Sequence, residues 1–299
     1  KGKDMDINNK RFVEAIRLYL SGERVKWSDN ITSSEWLQLF KIASIHNVIP
    51  MFYEAVYSSE SYKQNKEQLD KLYKVKTQQL VFMQTIKTAD FLALYRHLLS
   101  LDITPVVVKG IICRNIYPMP DHRLSTDEDL YIHKDQFHDC HKAMISYGME
   151  EYEDEENEIC YINRRTNLFV ELHQDLFQED SEAYGELNDI FLGVLNRAII
   201  ENIEGVPVYT MEYTDHLMYL ISHALKHFLH SGFGIRQLCD IVMYANTYGS
   251  KVDWNRIIRS CKRINVQLFT IALFDIGERY LGFSPDRASY PEEWRSIPV

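Results

Sequence analysis

The chain has no excess of positive charge: 33 lysines and arginines stand against 43 aspartates and glutamates in 299 residues, a formal net charge of -10. With a sequence pI near 5.6, it lacks the basic footprint that a long nucleic-acid duplex or an anionic membrane demands. A local basic pocket stays compatible with that balance. The five cysteines are an odd number without a CxxC pair, which argues against a disulfide framework and a four-thiolate zinc site. No run of about 18 uncharged apolar residues exists, so no membrane-spanning helix is expected. The opening KGKDMDINNK lacks the apolar core of a signal peptide. Internal repeats and low-complexity tracts are also missing. These absences predict a cytoplasmic protein in a reducing compartment. The 45% of hydrophobic residues is enough to bury a core, as one large domain or two ordinary ones.

What is present divides into three textures. From Arg11 to Ser100 the apolar spacing is helical, with Phe12, Ile16, Tyr19 and Leu20 in a first helix and Ser33-Ser34-Glu35 opening a second with cap-like chemistry. A third helix is expected over Met51 to Tyr57 and a long fourth over Lys63 to Leu99. In the fourth, Leu72, Val75, Leu80, Met83, Ile86, Ala89 and Leu94 are expected to face inward.

The texture changes at Leu101. Ile103 to Val108 reads as a strand buried on both faces, ending in a Lys109-Gly110 turn and a short helix to Tyr117. Asp127 to Ile132 reads as a second strand, Gln136 to Tyr147 as a helix, and Glu150 to Ile162 as an acidic hairpin or loop. Leu168 to His173 alternates, with Phe169, Glu171 and His173 on one face. Beyond Gly185 helices return over Leu187 to Ile200, Thr214 to Leu229, Ile235 to Tyr248, Trp254 to Arg263 and Val266 to Leu281, with a short strand over Val206 to Tyr209. The tail after Gly282 reads as irregular.

The chemistry concentrates between Lys109 and Asp129. Two aspartates at i and i+2 of a strand project from one face, and a carboxylate on a neighbouring strand completes a cage for hard cations. Asp127, Asp129 and Glu171 fit that requirement. Paired metals in such a cage stabilise both oxygens of an in-line phosphoryl or nucleotidyl displacement. Lys109 suits triphosphate oxygens, and Gly110 opens a helix N-terminus where N-H groups bind anions. An ordinary strand-to-helix turn explains the pair equally well. Arg123 is open to phosphate binding or to a structural pair with Asp121 or the acidic run, and Ser125 to phosphate binding or turn capping.

His223, His227 and His230 fall on one helical face at i, i+4 and i+7, a geometry used by helix-borne zinc sites, but the metalloprotease glutamate is missing. The expectation is that His223 and His227, with Lys226, Arg236 and Asp240, line the cleft or are satisfied core polar groups. His133, Asp135, His138 and His141 read as a solvated face, and the run from Glu150 to Glu158 as a solvent-exposed loop.

The succession Lys109-Gly110, Tyr117-Pro118, His122-Arg123-x-Ser125-x-Asp127-x-Asp129-Leu130 and Val170-Glu171-Leu172-His173 resembles the uncharacterised bacterial nucleotidyltransferase family of the polymerase-beta-like superfamily. It is also similar to abortive-infection type toxin nucleotidyltransferases. Asp215-His216-Leu217, His223-Ala224, Lys226-His227 and Arg236 to Asp240 resemble that family's C-terminal helices, and Trp36 with Ile49-Pro50 its N-terminal ones, so the likeness spans most of residues 30 to 280.

The resemblance implies an α+β fold, with a small mixed-sheet nucleotidyltransferase core over 101–185. That core is flanked by an N-terminal helical segment, 1–100, and a C-terminal helical domain, 186–299. It implies transfer of an NMP from an NTP to an acceptor hydroxyl, with magnesium, or manganese in its place, held by Asp127, Asp129 and Glu171. Glu171 would also help deprotonate the acceptor. Lys109, Gly110, Arg123, Ser125, His223, Lys226 and Arg236 are the nucleotide-binding candidates. The acceptor is open among a tRNA end, a protein and a small molecule; no membrane or long duplex partner is expected. One departure stands out: Lys109-Gly110-Ile111-Ile112 occupies the place where the superfamily has Gly-Ser or Gly-Gly and a small residue. That departure keeps a second reading open, a catalytically inactive NTP-binding or protein-interaction module.

Overall fold

The structure, a computed structural model, describes residues 5–155, 158–177, 185–230, 232 and 234–298. Glu156, part of the acidic run read from sequence, lies outside them.

Helices α1 (Ile7–Leu20), α2 (Ser33–Ile45) and α3 (Ile49–Val56) open the chain. The α2 cap is one residue earlier than its serines suggest: Thr32 and Glu35 form a reciprocal capping box, which satisfies two of the N-H groups a helix start leaves orphaned. Pro50 falls in the first turn of α3, where its missing N-H costs nothing. The short helices α4 (Glu60–Lys63) and α5 (Lys66–Leu69) and a wider turn over Asp70–Lys74 lead into α6 (Val75–Ser100).

The inward face of α6 differs from the apolar stripe read from sequence. Of its seven residues only Leu94 is buried, and Leu72 and Val75 are exposed. Thr77, Gln84 and Thr88 are buried instead. The reason is polar: Gln84 Oε1 accepts the Ser125 N-H at 2.9 Å, and Thr88 donates to Asp121 at 3.0 Å. The helix thus holds the loop ahead of the two aspartates by hydrogen bonds.

Seven strands follow: β1 (Val106–Val108), β2 (Asp127–Tyr131), β3 (Glu150–Glu155), β4 (Glu158–Asn163), β5 (Leu168–His173), β6 (Ile199–Ile203) and β7 (Val206–Thr210). They form one mixed sheet in the order β3-β4-β5-β2-β1-β7-β6. The pairs β2·β5 and β1·β7 are parallel, and the others antiparallel. The fold is therefore α+β.

Of the hairpin or loop read over Glu150 to Ile162, the structure has the hairpin, β3–β4. One feature of the sheet departs from the sequence reading. The helix expected over Leu187 to Ile200 is a pair of 3-10 turns, Gly185–Phe191 and Val194–Arg197, that run into β6. Gly193 at φ 71° interrupts helical geometry between them. Strands β6 and β7 extend the sheet with residues beyond 185.

Helices α7 (Gly110–Arg114) and α8 (Phe137–Tyr147) belong to the sheet region. Helices α9 (Tyr213–His230), α10 (Ile235–Tyr248), α11 (Trp254–Arg263), α12 (Gln267–Leu281) and the short α13 (Glu292–Arg295) complete the chain. Alternation along the strands separates two cores. Val107, Leu130, Val170 and Leu172 bury against α6 and α8, whereas Val106 and Val108 join a cluster built from α1 to α3 and α9 to α12. Tyr131, in phase with Asp127 and Asp129, packs against the second cluster. The face carrying the aspartates therefore looks toward the C-terminal helices. No helix among the described residues is long and apolar enough to cross a membrane.

Candidate functional site

Sheet register builds the acidic wall. Asp129 of β2 pairs with Glu171 of β5, and Tyr131 with His173. Cys160 of β4 lies opposite Glu171. Alternation places Asp127, Asp129, Glu171 and His173 on one face, bordering a cleft of about 520 Å³ between the sheet and α9 and α10. All ten candidate residues, Lys109, Gly110, Arg123, Ser125, Asp127, Asp129, Glu171, His223, Lys226 and Arg236, line this cleft.

The ligand atoms of Asp129, Glu171 and His173 converge within 4.8 Å of one another; Glu158, Cys160 and Glu171 form a second such group. Asp127 lies in neither group, so His173 stands in the trio where sequence reasoning placed Asp127. Asp129 is drawn two ways: its Oδ1 lies 3.3 Å from His173 Nε2 and its Oδ2 3.0 Å from Lys109 Nζ. The same alternation that selects Glu171 reaches His173 two residues on, a signal available in the sequence. No group that could hold a metal among the described residues includes the α9 histidines.

The electrostatics follow from this crowding. Burial, then the neighbouring Asp129 and Glu171 charges, push the Asp127 carboxyl up to about 6. Burial would raise Asp129 also, but the Lys109 ammonium and the His173 hydrogen bond outweigh it and hold the group well below the carboxylate range. His173, buried yet bonded to Asp129, Glu158 and Glu171, is lifted well above the ordinary imidazole value. A buried Asp129, flanked by the half-buried Asp127 and Glu171 and already drawing in Lys109 and His173, fits a hard divalent ion.

The cationic wall faces it. Lys109 Nζ donates to His223 Nε2 at 3.1 Å, and His227 Nε2 lies 3.2 Å from the same nitrogen. Burial, with Lys109 beside it, pushes His223 well below its ordinary value, so it stays neutral. Arg123 pairs with neither Asp121 nor the acidic run: Nε and Nη2 donate to Asp240 Oδ1 and Oδ2 at 2.8 and 2.6 Å, a bidentate fork buried at the cleft wall. Tyr117 also donates to Asp240, at 2.7 Å. Arg123 Nη1 has no hydrogen-bond partner among the described residues. Arg236 adds a second guanidinium beside this pair, its Nη1 donating to Leu124 O at 2.8 Å. Burial and the Arg123 charge both lower the Arg236 pKa.

Behind the acidic wall, on the other face of the sheet, lies a buried network that the sequence did not reveal. Glu128 points to the opposite face of β2 and is 1% exposed, as is Arg114. Arg114 donates to Glu128 Oε1 at 2.6 Å and to Ser125 Oγ at 2.7 Å, and Ser125 Oγ donates to Glu128 at 3.1 Å. The Ile111 N-H donates to Glu128 Oε2 at 2.7 Å. The start of α7, read from sequence as an anion-binding terminus, is therefore taken by the protein's own carboxylate. A Cβ at Gly110 would overlap that carboxylate, which explains the glycine.

The family described as "Uncharacterised nucleotidyltransferase" matches residues 32–282. A search of curated proteins finds no match. A solved structure similar to the chain is that of an antigenic nucleotidyltransferase-like protein from Paracoccidioides brasiliensis, 18% identical, with a TM-score of 0.40, covering 67% of this chain and 93% of that one. By the match over residues 32–282, the chain belongs to the uncharacterised nucleotidyltransferase family.

Proposed function

We propose that the protein is a magnesium-dependent nucleotidyltransferase that moves an NMP from an NTP to an acceptor hydroxyl. One observation carries this reading: a single cleft sets a carboxylate wall, the buried Asp129 with the half-buried Asp127 and Glu171, against a cationic wall of Lys109, Arg123, Lys226 and Arg236. That is the charge arrangement a metal-bound triphosphate requires. Asp129 and Glu171 would hold the cation, with Asp127 on the same face and His173 able to join once it loses its proton. When bound, magnesium, or manganese in its place, neutralises phosphate charge and stabilises the attacking and leaving oxygens.

The chain's own groups do the rest. Lys109 exchanges its contact with Asp129 for a phosphate oxygen, and Arg123 offers Nη1. Arg236 and Lys226 extend the positive field along the cleft, while neutral His223 contributes an uncharged polar group and Ser125, its hydroxyl held by Arg114 and Glu128, shapes the wall. Gly110 lets β1 turn into the cleft. Glu171, at the rim of the acidic wall, accepts the proton of the acceptor hydroxyl. The family and the five free thiols suit a cytoplasmic enzyme whose acceptor is a tRNA end, a protein side chain or a small molecule.

Calorimetry of NTP binding with and without magnesium, combined with a search for labelled product from alpha-labelled NTPs and cell extract, tests the reading. The expected result is magnesium-dependent binding with label transferred to an acceptor. Binding without any product would instead identify a silent NTP-binding module.

A further inference from the structure

Lys109 has the most constrained backbone in the cleft. It is not a glycine, yet it sits at φ 55° and ψ -125°, and Gly110 follows at φ 35°. An L residue holds such a conformation only where its surroundings enforce it. Enforcement comes from two sides. After the turn, the Glu128 carboxylate accepts the Ile111 N-H. Before it, the Lys109 N-H donates to His216 Nε2 at 3.1 Å, across 107 positions of sequence.

His216 is fully buried on α9, against the Tyr244 ring at 4.8 Å between centroids, and does not line the cleft. Its other nitrogen, Nδ1, lies 3.4 Å from Thr210 Oγ1. That hydroxyl already donates to Val107 O at 2.7 Å, so it can only accept from the imidazole. Nδ1 therefore carries the proton, and Nε2 presents a lone pair to the Lys109 N-H. The relay from Val107 through Thr210 and His216 returns to Lys109, tying both ends of one β1 peptide segment to β7 and α9.

Resting on the nucleotidyltransferase reading, we propose that His216 is a positioning residue that fixes the Lys109 turn and so aims its ammonium at the place where the carboxylate cage and the triphosphate meet. It touches neither substrate nor metal ligand. Its action passes through one N-H and one lysine.

A double-mutant cycle on H216L and K109M tests this, with inorganic triphosphate and magnesium as the calorimetric probe and thermal melting as the check on folding. K109M, which removes a charge-assisted donor, is expected to weaken triphosphate binding about tenfold or more. H216L is expected to weaken it about tenfold in the native background, since a buried N-H loses its acceptor, and to add nothing in the K109M background. H216Q, whose amide oxygen can accept the N-H, restores binding to within about threefold. If H216L melts below the assay temperature, T210V, which unlocks the tautomer, takes its place in the same cycle. Additive effects of the two substitutions would overturn the proposal, because a merely structural histidine acts independently of the lysine side chain. So would native affinity in H216L. Undiminished binding by K109M would sink the reading of the cleft itself, and the positioning role with it.

Discussion

Strand β2 presents two kinds of acid on its two faces. Glu128 has every interaction a buried charge needs: Arg114, Ser125 and the Ile111 N-H all meet its carboxylate. Asp127 and Asp129, one residue to either side, face a cleft where carboxylates crowd one another and one member is pushed up to about 6. On the proposed reading, the difference separates an acid that holds the fold together from acids held ready for a ligand. Burial alone does not distinguish them, since both Glu128 and Asp129 are nearly inaccessible. Hydrogen bonding does: both Glu128 oxygens accept hydrogen bonds, whereas Asp129 Oδ2 has only its ion pair with Lys109 among the described residues.

That comparison is broken most forcefully on the Glu128 side. E128A leaves the Arg114 guanidinium buried and uncompensated, and should destabilise the protein by about 3–5 kcal/mol in denaturant titration. G110A attacks the same carboxylate from above. It adds a Cβ into Glu128 at a positive φ, and a loss of about 1–3 kcal/mol is expected, read by the same titration.

His216 sharpens the contrast through pH. Burial lowers its pKa to about 3 from an ordinary 6.5. Between those values the unfolded chain binds a proton that the folded protein refuses, so this contribution to stability is complete above pH 6.5 and is lost as pH falls toward 3. The difference between the native and H216Q stability profiles should therefore slope by up to about 1.4 kcal/mol per pH unit in that window and be flat above it. The smallest expected effect lies on the other face. Magnesium should raise the melting temperature more at pH 8 than at pH 5, because below about 6 Asp127 keeps a proton that a cation must displace. The same shift should survive intact in a folded E128Q variant.

Much of this was legible in the sequence where the physics is local. Strict alternation over Leu168 to His173 and the i, i+2 aspartates placed the right side chains on the right face, and the spans of α10 and α11 follow from apolar periodicity. What escaped is long-range pairing. The partner of Arg123 is Asp240, 117 residues away, and that of Glu128 is Arg114, across a turn. No periodicity encodes either. The buried Gln84 and Thr88 of α6 escape a sequence reading because polar residues read as solvent-facing until the loop they bind is known. The helix expected over Leu187 to Ile200 gave way to turns and an edge strand, since β6 finds its reason only in pairing with β7.

The central claim is that the acids on the cleft face of β2 perform chemistry. Its most direct test is transfer of label from an alpha-labelled NTP in magnesium by the native protein and by D127A and D129A, with melting curves showing that each variant is folded. Loss of an outer partner alone typically costs about 10–100-fold at a metal site, so loss of an acid in the cage should cost at least about a hundredfold. Label transfer that persists at the native rate in both folded variants would contradict the account.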